Sequence, residues 1–333
     1  MLVLNQDDVT RLLPMRACIE LMASTLASLA RNEADLPLRT VIRFRDGSGA
    51  FAVMPGCLEV PKAIGAKVIT VMPGNHGTRF DSHQGAVLLF DPDNGSLAAV
   101  VDATPITTIR TAAVSAVATR LLAREEAASL AILGAGVQGH AHVEAICAVR
   151  PITSLRVWSR DTHHAESLVA TARQRFHLTA MVAESASDAV NDADVVCTTT
   201  SATEPVLHGD WLSPGTHVNA VGASTPTARE LDAAAVVRSR LYVDRRESAL
   251  NEAGDVLVPL RAGTISAEHI VGEIGEVLLG HAPRRRNASE ITLFKSLGLA
   301  IEDLAAAAYV VDAARRDGSG TEVALGGKRG ATD

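Results

Sequence analysis

The chain has 333 residues, room for two domains at the usual span of about 100 to 200 residues each. Its 47% hydrophobic and 21% charged residues describe an ordinary globular protein. With 31 Lys plus Arg against 38 Asp plus Glu, a formal charge of -7, neither nucleic acid nor an anionic membrane is an expected partner. Small molecules and copies of the chain itself are expected instead.

Cys18, Cys57, Cys147 and Cys197 lie far apart, outside any zinc-binding spacing, and read as small buried hydrophobes in a reducing compartment; no metal site is expected. The N-terminal "MLVLNQDDVTRLLPM" lacks the basic and long apolar regions of a signal peptide, and no apolar run approaches the roughly 18 residues of a membrane span. A cytoplasmic protein is expected.

In chain order, "DDVTRLLPMRACIELMASTLASLARN" reads as helix, with Ile19, Met22, Leu26 and Leu29 at helical spacing and a break at Pro14. Short strands follow: "RTVIRF", "GAFAVMP", "GAKVITVMP", "GAVLLFDPDNG" and "SLAAVVD". "DPDNGS" reads as a hairpin turn with Asn94-Gly95 supplying positive φ. This block is an antiparallel α+β unit that ends before any glycine-rich turn appears. "TPITTIRTAAVSAVATRLLA" is a helix with Thr104 as N-cap and Pro105 at N1, and Ile106, Arg110, Ala113, Val117 and Leu121 on one face.

From Ser129 the pattern alternates. The strands "LAILGAG", "LRVWSR", "DVVCTTT", "THVNAVG" and "RLYVD" are separated by helical stretches, the signature of a doubly wound parallel sheet. "LFKSLGLAIEDLAAAAYVVDAARR" reads as one long amphipathic helix that packs back on the first block, and the glycine-rich tail after it as loose. His140, His142, His163 and His164 read as helix surface.

The turn Gly134-Ala135-Gly136-Val137-Gln138-Gly139 follows a strand and opens a helix, the context that makes a GxGxxG a dinucleotide site. Gly134 allows the tight turn, Gly136 the close approach of backbone N–H groups to a pyrophosphate, and Gly139 the packing of helix on strand. About 20 residues on, an NAD-binding fold places a carboxylate on the ribose 2'-hydroxyl. Here "VW" ends in Ser159-Arg160. A carboxylate facing a 2'-phosphate would cost on the order of 4 kcal/mol, whereas a hydroxyl and a guanidinium attract it. NADPH is therefore expected and NADH less favoured. Asp161, one residue further on, weighs the other way, and a solvated Arg160 is the alternative.

Three cations stand out before that turn: Arg39 in "PLRTVI", Lys67 as the one charge in "AIGAKVITVM", and Arg110 among small apolar helix residues. Lys and Arg are rarely buried unless paired, so these suit a pocket for an amino, keto or imino acid. The alternative for Lys67 is an edge lysine that discourages aggregation. Ser82, His83 and Gln84 stand just before a strand, with His83 a candidate acid.

Together "GAKVITVMPGN", "SHQGAVLLFDPDNGSLAAVVD", "ITTIRTAAVSAVATRLLA", "ILGAGVQGHAH", "NAVGAS" and "FKSLGLAIED" resemble the ornithine cyclodeaminase and mu-crystallin family. The resemblance implies an α/β fold in which a Rossmann domain, residues 119–293, is inserted into an α+β substrate-binding and dimerisation domain made of 1–118 and 294–333. It implies a homodimer. Arg39, Lys67 and Arg110 match the positions that hold the substrate carboxylate. Ser82, His83, Gln84, Arg110, Gly134, Ala135, Gly136, Val137, Gln138, Ser159, Arg160, Thr199, Val221 and Ser296 match cofactor-contacting positions.

Members of the family cyclise ornithine, act as alanine or N-alkyl amino-acid dehydrogenases, reduce ketimines, or bind ligands with NADPH. Where cyclodeaminases carry an Asp after the fifth Rossmann strand, this chain has Ser224, and losing such an acid-base group typically costs about 10²- to 10⁴-fold. Reducing a preformed cyclic imine asks less. The expected activity is NADPH-dependent reduction of Δ1-pyrroline-2-carboxylate or Δ1-piperideine-2-carboxylate to L-proline or L-pipecolate, with Ser224 in the substrate pocket. The other three activities remain alternatives.

Overall fold

The computed structural model describes residues 1–75 and 77–325. It opens with β1 (Leu2–Leu4), α1 (Gln6–Leu12) and α2 (Met15–Ala30). The Asn5 side chain accepts from the Asp8 backbone N–H and the Asp8 carboxylate answers the Asn5 N–H, so α1 starts on a capping box. Pro14 separates α1 from α2, and the two axes bend by 82°.

Then come β2 (Ala34–Asp35), β3 (Thr40–Arg43), β4 (Ala50–Glu59), β5 (Lys62–Val71), β6 (His83–Phe90) and β7 (Leu97–Asp102). Strands β4 to β7 pair antiparallel in sequence order, and β1 joins β7 in parallel. Two local expectations are corrected. In the β6–β7 turn Gly95 alone takes positive φ, while Asp91 Oδ1 accepts from the backbone N–H of Asp93 and Asn94 and so needs no left-handed asparagine. The next helix, α3 (Ala103–Leu122), is capped by Asp102, which accepts from Thr104 N at 2.8 Å; Thr104 and Pro105 therefore lie inside the first turn.

The second sheet contains β8 (Ser129–Leu133), β9 (Ser154–Trp158), β10 (Thr179–Val182), β11 (Val195–Thr198), β12 (His217–Ala220), β13 (Arg240–Val243), β14 (Ile270–Glu273) and β15 (Thr292–Lys295). All its strands are parallel, in the order β10-β9-β8-β11-β12-β15-β13-β14. Helices α4 (Val137–Cys147) and α5 (Thr162–Phe176) follow β8 and β9. Apolar side chains fill both faces, Leu133, Val196 and Val218 on one and Ile132, Val157 and Val195 on the other.

The segment read as one helix from Leu293 is not one. Thr292–Lys295 is a fully buried strand, Gly298 takes φ +77, and the C-terminal helix begins only at Ala300 and ends at Asp317. A short strand buried on both faces is a continuous apolar run, which periodicity cannot tell from helix. The C-terminal helix packs on β4, β5 and β6. In the tail, Thr321–Glu322 pairs antiparallel with β1, and residues 326–333 of the stretch read as loose lie outside the described residues.

The chain divides into two compact units. Met1–Leu21, Arg31–Arg110 and Leu299–Asp333 form the first, and Met22–Ala30 with Thr111–Gly298 the second. The changes of domain expected at 118 and 293 fall at Arg110 and Gly298, because α3 is one continuous helix and its pattern carries no mark of the boundary.

His142, expected at the surface, is buried, with Ser115 Oγ 2.9 Å from Nε2 and the Gln138 carbonyl 2.8 Å from Nδ1. A carbonyl only accepts, so Nδ1 carries the proton and Nε2 accepts from the serine. Burial brings the His142 pKa down from 6.5 to about 4 and that of buried His217 to about 3. Both rings titrate near 6.5 when unfolded, so the unfolded chain binds more protons below that pH. Stability is then complete above pH 6.5 and lost as pH falls toward 4, by about 2 kcal/mol per histidine at pH 5. The expected result is a Tm that drops between pH 7 and 5, with a shallower drop in His142→Gln; equal slopes in variant and parent would contradict it.

Candidate active site

Lys67 lies in the middle of the first sheet, paired with Met54 on β4 and Val87 on β6. Neither the ammonium nor the Arg110 guanidinium waits with open valences, as the sequence suggested. The first turn of the C-terminal helix meets them both: Lys67 Nζ lies 2.7 Å from Asp303 Oδ2, Arg110 Nε donates to Asp303 Oδ1 at 2.9 Å, and Arg110 Nη1 donates to Glu302 Oε2 at 2.8 Å. All four side chains are at most 4% exposed. Charges so far from water persist only when paired. Asp303 holds both cations at once and fixes their separation.

Arg39 joins them through the sheet. Thr40 pairs with Val53, so continuing the register sets Arg39 opposite Met54, itself opposite Lys67. The two cations share a face and repel. Burial lowers the Lys67 pKa most, Asp303 raises it, Arg110 and Arg39 lower it again, and the balance is about 8 against an ordinary 10.5. Asp303 takes one of the three ammonium donors. An anionic group placed there meets cations already oriented.

His83 opens β6 on that same face, since Val71 pairs with His83 as Lys67 pairs with Val87. Its Nδ1 lies 3.1 Å from Ser82 Oγ, and the surrounding protein and the Lys67 charge hold its pKa below the usual value. Gln84 turns away, donating to the Asp81 carbonyl at 3.1 Å.

The second unit carries the glycine turn. Gly134 follows β8 with φ +103, and a Cβ there would lie 2.7 Å from the Thr199 carbonyl oxygen. A Cβ on Gly139 would lie 2.4 Å from the Gly134 carbonyl oxygen, so α4 sits as close to the turn as backbone permits. Gly136 is the N-cap of α4, offers no side chain to its first-turn N–H groups, and faces open space. Ala135 is buried, Val137 is exposed on the first turn, and Gln138 Oε1 is buried without a hydrogen-bond partner. Uncapped amides at a helix N-terminus and an orphaned amide oxygen fit a pyrophosphate and its sugar.

Four of the residues expected to contact a cofactor share one position. Gly134, Thr199, Val221 and Ser296 are the first residues after β8, β11, β12 and β15, adjacent strands whose last residues Leu133, Thr198, Ala220 and Lys295 pair in register. Thr199 Oγ1 donates to the Gly134 carbonyl at 2.7 Å. Ser296 is buried. Ser159 and Arg160 leave β9, the hydroxyl half-buried and the guanidinium exposed. Asp161 is the N-cap of α5 and accepts from His163 N at 2.9 Å, which commits its carboxylate to the helix. Ser224 is exposed on the loop after β12.

Glu302 and Asp303 were missed as site residues. Two adjacent carboxylates within one long predicted helix say nothing of partners 192 and 193 residues away.

A model of the ornithine cyclodeaminase/mu-crystallin family matches residues 1–318. The ketimine reductase mu-crystallin of Mus musculus is 45% identical over 276 residues, 83% of this chain and 84% of that protein. Delta(1)-pyrroline-2-carboxylate reductase of Thermococcus litoralis, solved in complex with NADH and L-proline, superposes with a TM-score of 0.95 at 37% identity, covering 97% of this chain and 100% of that one. An archaeal alanine dehydrogenase dimer with bound NAD superposes with a TM-score of 0.92 at 30% identity, over 98% and 99% of the two chains. With the match running from the first strand to the end of the C-terminal helix, the chain belongs to the ornithine cyclodeaminase/mu-crystallin family.

Proposed function

We propose that the protein reduces cyclic ketimine carboxylates, Δ1-pyrroline-2-carboxylate or Δ1-piperideine-2-carboxylate, to L-proline or L-pipecolate with NADPH. The observation that carries this reading is the buried set Lys67, Arg110, Glu302 and Asp303, cations held in place for a small carboxylate. The ketimine and pyrroline-2-carboxylate reductases among its relatives support it. Gly134 to Gln138, Thr199, Val221 and Ser296 would hold the dinucleotide, which supplies a hydride for the C=N carbon when bound.

The chain's own work is to bind, orient and protonate. Arg39 and Arg110 attract the carboxylate by charge, with Arg110 held in place by Asp303 and Glu302. Lys67 orients the imine and gives its nitrogen the proton that completes the reduction. An ammonium of pKa about 8 is charged at neutral pH yet donates more readily than an ordinary lysine. Ser224 supports reduction over ornithine cyclisation, which needs an acid-base group there.

The preference for NADPH rests on Ser159 and Arg160 and on the engagement of Asp161 at the α5 N-terminus. We also propose a homodimer, in keeping with the dimeric alanine dehydrogenase relative and with Val41 and Ile42, 42% and 59% exposed on β3.

The deciding assay is NADPH oxidation with both cyclic imines, pyruvate plus ammonia, pyruvate plus methylamine, and ornithine. Turnover confined to the imines is expected; ammonia released from ornithine without net oxidation of cofactor would sink the proposal. Arg160→Ala should raise KM for NADPH about 10- to 100-fold, the loss of a charge-assisted bond worth roughly 1.5–3 kcal/mol, and leave KM for NADH within about twofold. Parent enzyme that turns over NADH and NADPH equally would overturn the cofactor assignment. Because Asp303 raises the Lys67 pKa, kcat/KM for the imine should fall as pH rises through about 8, and Asp303→Asn should move that fall to lower pH. An unmoved limb in a folded variant would remove Lys67 from the role.

A further inference from the structure

A second buried ionic cluster lies in the Rossmann unit and takes no part in the reading above. Glu230, Asp255 and Lys295 are 0%, 2% and 0% exposed. Glu230 Oε1 accepts from the backbone N–H and the hydroxyl of Thr200 at 2.6 and 2.7 Å. Its Oε2 accepts from Thr198 Oγ1 at 2.8 Å and from the Gly222 N–H at 2.6 Å. Four donors fill the roughly four lone-pair sites of a carboxylate. One side chain thereby ties together the two loops that leave β11 and β12.

The chain of contacts continues. The backbone N–H groups of Glu230 and Leu231 donate to Asp255 Oδ1 at 2.8 and 3.0 Å, and Asp255 Oδ2 pairs with Lys295 Nζ at 3.0 Å. Lys295 also donates to the Ala220 carbonyl at 3.3 Å. Approach is so close that a Cβ on Gly222 would lie 2.0 Å from the Thr200 carbonyl oxygen and 2.6 Å from Glu230 Oε1.

The anchored residues have a pattern. Thr198 and Thr200 flank Thr199, Gly222 follows Val221, and Lys295 precedes Ser296. Each of these four residues thus lies one position from a residue assigned to the dinucleotide, at three neighbouring strand ends. Apolar side chains of the same volume would fill this space without the desolvation that buried charges carry. They would not hold backbone N–H groups and hydroxyls at fixed points.

We propose that Glu230 is a positioning residue of the dinucleotide site: its carboxylate, with Asp255 and Lys295 behind it, holds Thr199, Val221 and Ser296 in a preformed wall for the nicotinamide half of the cofactor, since β11, β12 and β15 lie across β8 from β9 and its Ser159 and Arg160. This rests on the cofactor assignment of those three residues. Pre-orientation of that kind strengthens binding without touching the ligand.

The test compares two ligands by fluorescence and calorimetric titration: NADPH, and adenosine 2',5'-bisphosphate, which carries the adenine half alone. Glu230→Gln keeps the shape but turns an N–H group toward its former donors. It should weaken NADPH at least tenfold and leave the bisphosphate within twofold of the parent. Thr198→Val removes one donor at nearly constant volume; it provides a second variant should Glu230→Gln not fold, and should weaken NADPH about threefold with the bisphosphate unchanged. Equal losses for both ligands, or no loss for either, would overturn the positioning role. A parent protein that binds neither ligand would overturn the cofactor assignment, and the role with it.

Discussion

A buried cation must have a partner, and the first unit is organised around that requirement. Asp303 answers both Lys67 and Arg110 from 193 residues beyond the arginine. The C-terminal helix must therefore return to the sheet that the first hundred residues build, and it packs on β4, β5 and β6, the strands around Lys67. Desolvating four charged groups is costly, and removing one partner would leave another charge unpaired in the interior. The arrangement resists drift: the cations keep their spacing because one carboxylate spans both.

The same economy recurs in the second unit through backbone rather than charge. A parallel sheet aligns the ends of its strands, so residues far apart in sequence arrive side by side one step beyond β8, β11, β12 and β15. Gly134 can make its turn only without a Cβ, and Thr199 closes on its carbonyl. The helix that follows brings uncapped N–H groups to the same edge. His142, neutral and fixed in one tautomer between Gln138 and Ser115, secures that helix to α3.

Local constraints were legible. The glycine turn, the alternation of strands and helices after Ser129 and the isolated charge of Lys67 all rest on near neighbours, where period, φ and composition speak directly. Errors came where partners were distant. His142 looked like helix surface because its serine lies 27 positions away. Lys295 and Ser296 were read inside a helix because a strand buried on both faces has no alternation to show. Glu302, Asp303 and Glu230 carry no local sign of a role, because the groups they meet are distant in sequence.

By itself the sequence determined the two kinds of architecture, the family resemblance, the glycine turn between strand and helix and the three isolated cations, since each follows from residue type and short-range spacing. Only the tertiary structure decided which charges meet, that His142 is buried against Ser115, and where the unit boundary cuts α3. Ion pairs and strand registers between distant segments are set by packing the whole chain at once, and no local pattern encodes them.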